Sequence, residues 1–168
     1  MPLHRTKRKV GLTKSALPTL KIGMVATSEY GSKLAPLDQK TRALWAADCA
    51  EHVLANFEQT RSKDRRPREA VEAARAWARG EITMMMARKA AVQAHAAARA
   101  ARHPAAIAAA RAAGHAAATA HSIRHAIGVP AYAIVSAIAT ADSRDAVITG
   151  ERRWQLARLA SRLKGTVK

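Results

Sequence analysis

From Asp38 to Gln59 the apolar positions Leu44, Ala47, Leu54 and Phe57 keep the three- and four-residue rhythm of one buried helical stripe. Asp38 carries a side-chain acceptor for the free N–H groups of a first turn. A helix is therefore predicted to start there and run through TRALWAADCAEHVLANFEQ. RSKDRRP interrupts it. Pro67 suits the opening turn of a second helix, REAVEAARAWAR, with Asp64 as a cap before it and Gly80 as its stop. A third helix is predicted from Thr83 through MMMARKAAVQAHAAARAAR to His103, because the residue before Pro104 is pushed away from the α region. A fourth runs from Pro104 to Ile127 and ends at Gly128. Pro130 opens a shorter fifth segment, AYAIVSAIATA, and a last helix, ERRWQLARLASRL, follows Thr149 as its cap. No stretch alternates convincingly with the two-residue period of a strand. The fold class is all-α, a bundle of about five to six helices with short links.

Residues 1–37 do not share this rhythm. HRTKRKVGLTK is a basic tract, and Gly, Pro and Ser punctuate the chain through Pro36. Over 1–40, eight Lys and Arg face two acids, Glu29 and Asp38. The segment 1–37 reads as a basic flexible leader. The helical domain is expected over 38–141, with 142–168 as a C-terminal helix packing on the bundle or a flexible tail.

Alanine supplies most of the apolar fraction, while the large residues are few: one Phe, three Trp and two Tyr. Such a core requires helices that approach closely, each contact burying little area. With one cysteine, Cys49, there is no internal disulfide and no Cys-based zinc site, and a reducing cytoplasm is the expected compartment. No apolar signal core follows the basic N-terminus, and no run reaches membrane-spanning length, so no membrane partner is expected.

Charge is unevenly placed. The formal net charge is +17, which speaks to partners rather than to fold and admits polyanions and acidic proteins. From Ile82 to Ala141 there is no Asp or Glu, yet Arg88, Lys89, Arg99, Arg102, Arg111 and Arg124 all lie there. The first two helices hold most of the carboxylates, including Asp48, Glu51, Glu58, Glu69 and Glu72. A bundle must pack these groups together, so acid–base contacts across helices are expected.

Within the acid-free span, GHAAATAHSIRHAIG sets His115, His121 and His125 in an alanine-rich helix. Arg111, His121 and His125 fall on the seam that this helix presents to its neighbours, and Arg88, Val92, His95 and Arg99 form a similar row on the third helix. Two readings stand. In the first, Asp48, Glu51, Glu69 and Glu72 reach Arg88, His95, Arg111, His115, His121 and His125 as a satisfied buried polar network, because an unpaired buried imidazole would be an orphan. In the second, His121 and His125, four residues apart, offer two imidazoles to one metal ion. The second lacks support: a zinc hydrolase of the H-E-x-x-H type needs a glutamate where Ser122 stands. A helical di-iron site needs carboxylates, which only Asp48 or Glu51 with His52 could bring from the first helix.

No cofactor and no catalytic residue is specified. Cys49 reads as a small core residue, Ser122 lacks a glycine-rich elbow, and no phosphate-cradling glycine loop occurs. The anion or nucleic-acid patches open to consideration are Arg5, Lys7, Arg8 and Lys9 in the leader, and Arg61, Lys63, Arg65, Arg66 and Arg68 in the first interhelical link. Without a helix-turn-helix signature or stacking aromatics, they imply nonspecific nucleic-acid binding that salt would remove.

TRALWAADCAEHVLANFE, DRRPREAVEAARAWARGE and AARAAGHAAATAHSIRHA occur in this order and spacing, followed by AYA near residue 131. Together they resemble the bacterial Imm-five-like family of immunity proteins over about Asp38 to Ala141, with RRWQLARL as an extension. The resemblance implies an all-helical cytoplasmic protein that binds and neutralises a cognate toxin of a polymorphic toxin system, with no catalytic residue and no cofactor.

Overall fold

The computed structural model describes residues 16–165, and over them the only regular elements are helices. In chain order these are α1 (Ala16–Ala26), α2 (Tyr30–Leu34), α3 (Gln39–His52), α4 (Ala55–Glu58), α5 (Arg66–Ala78), α6 (Met84–Ala100), α7 (Pro104–Ala118), α8 (His125–Ile138) and α9 (Arg144–Lys164).

Local chemistry sets many of the boundaries. Asp38 caps α3, its carboxylate accepting from the backbone N–H of Thr41 at 2.7 Å. Thr83 caps α6 in the same way, through the N–H of Met86. Pro67 lies in the first turn of α5 and Pro104 in that of α7, where a missing N–H is harmless. Gly80 follows α5 with φ of 79°, a left-handed conformation that glycine adopts without strain.

α7 is the axis of the bundle, packed against α3, α4, α5, α6 and α8. Nearly all of it is buried. Only Pro104, Ile107, Arg111 and His115 reach solvent, spaced so that they form one stripe along the helix. The other positions are Ala and Gly114, which let neighbouring helices come close on every other side. The bulk that alanine cannot supply comes from Trp45, Tyr30, Phe57, Leu34 and Leu54, all fully buried.

Three expectations are corrected. Residues 16–37 are not a flexible leader: they form α1 and α2, bury Tyr30, Leu34 and Leu37, and set Tyr30 edge-on to Trp45 with ring centroids 5.6 Å apart. The predicted fourth helix stops at Ala118 rather than Ile127. There the Thr119 hydroxyl bonds back to the His115 carbonyl at 3.1 Å. Gln39, reaching over from α3, donates to the carbonyls of Thr119 and Ala120 at 2.8 and 3.1 Å, satisfying the freed end. A new helix then begins at His125 and carries Pro130 inside it rather than at its start. Finally, α9 begins at Arg144, upstream of the cap predicted at Thr149.

Candidate functional site

The polar groups of the bundle sort into two clusters of opposite character. The first is a carboxylate–guanidinium lattice joining α3, α5 and α9. Asp48 is the hub, its side chain 4% exposed. Its Oδ1 accepts from Arg75 at 3.0 Å, and its Oδ2 accepts from Arg158 at 2.9 Å and from Arg162 at 2.7 Å. Burial alone would raise this carboxyl, but hydrogen bonds from Arg162, Arg158 and Arg75 outweigh it and hold the group below the ordinary carboxylate range. Arg75 also donates to Glu51 at 2.6 Å, and Arg68 joins Glu51 to Glu58, donating to Glu58 at 2.6 Å. Beside the lattice, His52 stacks on Trp154 with centroids 3.7 Å apart, and its Nδ1 lies 3.0 Å from the buried Glu151 carboxylate.

The second cluster is a groove whose floor is the solvent-reaching stripe of α7. His95 and Arg99 of α6 flank it on one side, and His125 and Tyr132 of α8 on the other. Nδ1 of His115 lies 3.0 Å from Nδ1 of His125. His95 packs edge-on to His115, with centroids 5.2 Å apart, and Tyr132 stacks on the other side of His115 at the same separation. Gly114 makes this possible, because a Cβ there would fall 2.6 Å from the His95 ring.

Among the described residues the charges acting on these groups come from Arg99, Arg111 and neighbouring imidazoles, and burial disfavours protonation of the rings. Burial, Arg111, His125 and Arg99 push His95 down to about 4. Burial, His95, His125 and Arg111 push His115 down to about 3. His125 is lowered by burial and by His121, and Arg111 is lowered by burial and by Arg99. Among the described residues Arg111 makes no ion pair, its Nε is shut from solvent without a partner, and Nδ1 of His95 is buried and unpartnered as well.

The predicted polar network is therefore divided differently from expectation. Asp48 and Glu51 meet each other through Arg75, not through the histidines. Glu69 and Glu72 are exposed on α5 and, among the described residues, take no ion pair, while Arg88 is exposed. His95, Arg111, His115 and His125 do come together, but around one another. His121 lies outside the helices, exposed, with its ring 4.9 Å from His125. Among the described residues no group of three or more His, Cys, Asp or Glu side chains is placed to hold a metal ion.

The interhelical basic patch is largely neutralised within the chain. Asp64 takes Arg66 at 2.6 Å and Arg61 at 3.6 Å, and Arg68 is committed to Glu58, which leaves Lys63 and Arg65 exposed. Arg5, Lys7, Arg8 and Lys9 lie outside the described residues. The sequence reading missed Arg75, Arg158, Arg162, Glu151 and Tyr132. Only the four-residue spacing of Arg158 and Arg162 hinted that one helical face would present two guanidinium groups together. Among the described residues no helix is long and apolar enough to cross a membrane.

Fold and polar clusters together define an all-helical bundle with one charge-paired side and one carboxylate-free groove. The Imm-5 like putative immunity protein family matches residues 32–162, from within α2 to within α9, and the chain belongs to that family. The match reaches beyond the 38–141 that the sequence blocks carried. No curated protein and no solved structure matches the chain.

Proposed function

We propose that this chain is an immunity protein of the cytoplasm that binds a cognate bacterial toxin of a polymorphic toxin system and neutralises it by stoichiometric binding, without catalysis. The observation that carries the reading is family membership over residues 32–162. The chemistry of the bundle agrees with it. The single thiol, Cys49, is fully buried, and burial pushes it well above its ordinary range, the reverse of what a nucleophile needs. The net charge of +17 favours a partner with an acidic surface, since opposite potentials speed encounter and suppress wrong partners.

The test is protection. The chain is co-expressed with the toxin encoded beside its gene, in cells that the toxin alone kills. Survival with the chain present, and death with a truncated chain lacking α6 to α9, supports the reading. Equal killing with and without the intact chain overturns it.

A further inference from the structure

We propose that the groove over α7 is a carboxylate-recognition site, in which Arg111 and Arg99 receive an Asp or Glu side chain from an acidic partner protein. This rests on the immunity reading for the identity of the partner, though not for the chemistry of the site.

Elsewhere in the bundle the half-buried arginines are paired: Arg75 with Asp48 and Glu51, Arg68 with Glu58, Arg66 with Asp64. Arg111 is half-buried too, on the one stripe of α7 that reaches solvent, yet among the described residues it has no hydrogen-bond or ion-pair partner. A guanidinium withdrawn from water without an anion is unfavourable, and the missing interaction is one that a bidentate carboxylate supplies well. The chain cannot supply it locally, because Ile82 to Ala141 holds no acid. Among the described residues the titratable groups acting on the groove are Arg99 and His95 from α6, Arg111 and His115 from α7, His125 and Tyr132 from α8 and His121 beside it, with no carboxylate.

Exposed apolar side chains lie on the same helix as His95 and Arg99. Val92 is 54% exposed one turn from His95, and Met85 is 59% exposed two turns further along α6. A ring of apolar contact around a charged anchor excludes water from the pair and strengthens it. Net positive potential combined with an unsatisfied cation selects an acidic protein surface over a neutral one.

A carboxylate seated between Arg111 and Arg99 would also change the histidines. It would place an anion beside rings that are lowered first by burial and then by neighbouring cations, so the surroundings of His95 and His115 change on binding.

The experiment uses the full chain with 15N-labelled histidine, titrated with poly-L-glutamate at physiological salt. Arg111→Gln is compared with Arg153→Gln, which removes the same charge from the exposed side of α9. The expected result is about a tenfold loss of affinity for Arg111→Gln against less than twofold for Arg153→Gln, the size of one charge-assisted contact. The ring resonances of His95 and His115 should shift on binding to the parent. Equal weakening by the two variants, or unmoved imidazole signals, overturns the site. Tighter binding of a short DNA duplex, with the same dependence on Arg111, overturns the carboxylate assignment in favour of phosphate. Co-expression with the toxin separates this claim from the immunity reading. If the parent chain fails to protect, the immunity reading falls and the poly-L-glutamate result judges the groove alone. If Arg111→Gln protects as well as the parent, the groove is not where the toxin binds.

Discussion

Nδ1 of His115 and Nδ1 of His125 face each other at 3.0 Å across the turn between α7 and α8. That distance requires one ring to donate and the other to accept, so the two Nδ1 atoms cannot both be protonated. The contact links the last turn of the central helix to the first turn of the next, and it is held in a setting without a carboxylate.

The first prediction is a pH dependence of stability. His95 and His115 sit at about 4 and about 3 in the folded chain, against an ordinary value of 6.5. On acidification the unfolded chain takes up its protons first, so their contribution is complete above about pH 6.5 and drains away as pH falls toward 4 and below. The paired carboxylates Asp48, Glu51 and Asp64 are lowered, so they titrate beneath most of that window. Thermal melts should show Tm falling between pH 6.5 and 4.5, with a shallower slope for the double variant His95→Leu/His115→Leu. An unchanged slope in that variant would place the dependence elsewhere.

A second prediction concerns Asp48. Replacing it with Ala strips three guanidinium groups of their shared partner at a buried position and should lower stability by about 3 kcal/mol. Urea denaturation measures this as a lower midpoint at constant slope. By contrast, Glu81→Ala, which breaks the exposed pair with Arg79, should leave the midpoint where it was.

Gly114 gives a third. Alanine inside a helix is ordinarily favoured over glycine by about 1 kcal/mol. Here its Cβ would overlap the His95 ring at 2.6 Å, so Gly114→Ala should destabilise the parent. In a His95→Ala background the same substitution should stabilise. A double-mutant cycle on chemical denaturation checks the reversal of sign, and independence of the two sites would contradict the packing described here.

Arg111 gives a fourth. Because no group among the described residues pairs with it, Arg111→Gln should leave Tm unchanged or raise it, whereas Arg75→Gln should lower it clearly. Differential scanning calorimetry on the two variants distinguishes an unpaired cation from a structural one.

Much of the helical frame was legible because it rests on local chemistry. Asp38, Pro67, Gly80, Thr83 and Pro104 set boundaries through their own backbone preferences, and those effects need no neighbours. The break after Ala118 was not legible, because Thr119 to Arg124 contains neither glycine nor proline. It depends on Gln39 arriving from a distant helix. The N-terminal helices were hidden for a related reason: α1 has weak apolar periodicity, and α2 is five residues long, so packing of Tyr30 and Leu34 against α3 and α9 fixes them rather than propensity.

The candidate site was half legible. The absence of acids from Ile82 to Ala141 correctly marks the histidine groove, but it does not say where the acids go. Asp48, Glu51 and Glu58 are taken by Arg68, Arg75, Arg158 and Arg162, the last two on a helix 110 or more residues away from Asp48 along the chain. Pairings at that separation follow from how α9 docks, which no local pattern records.

Stoichiometric neutralisation is tested most directly by a titration of toxin activity. A fixed amount of the toxin encoded beside this gene is mixed with increasing amounts of the chain, and residual toxin activity is assayed after equilibration. Stoichiometric binding gives a linear fall that reaches zero at a fixed, small whole-number ratio and does not progress with further incubation. Undiminished activity with the chain in excess, or continued loss at substoichiometric amounts as a catalyst would produce, would contradict it.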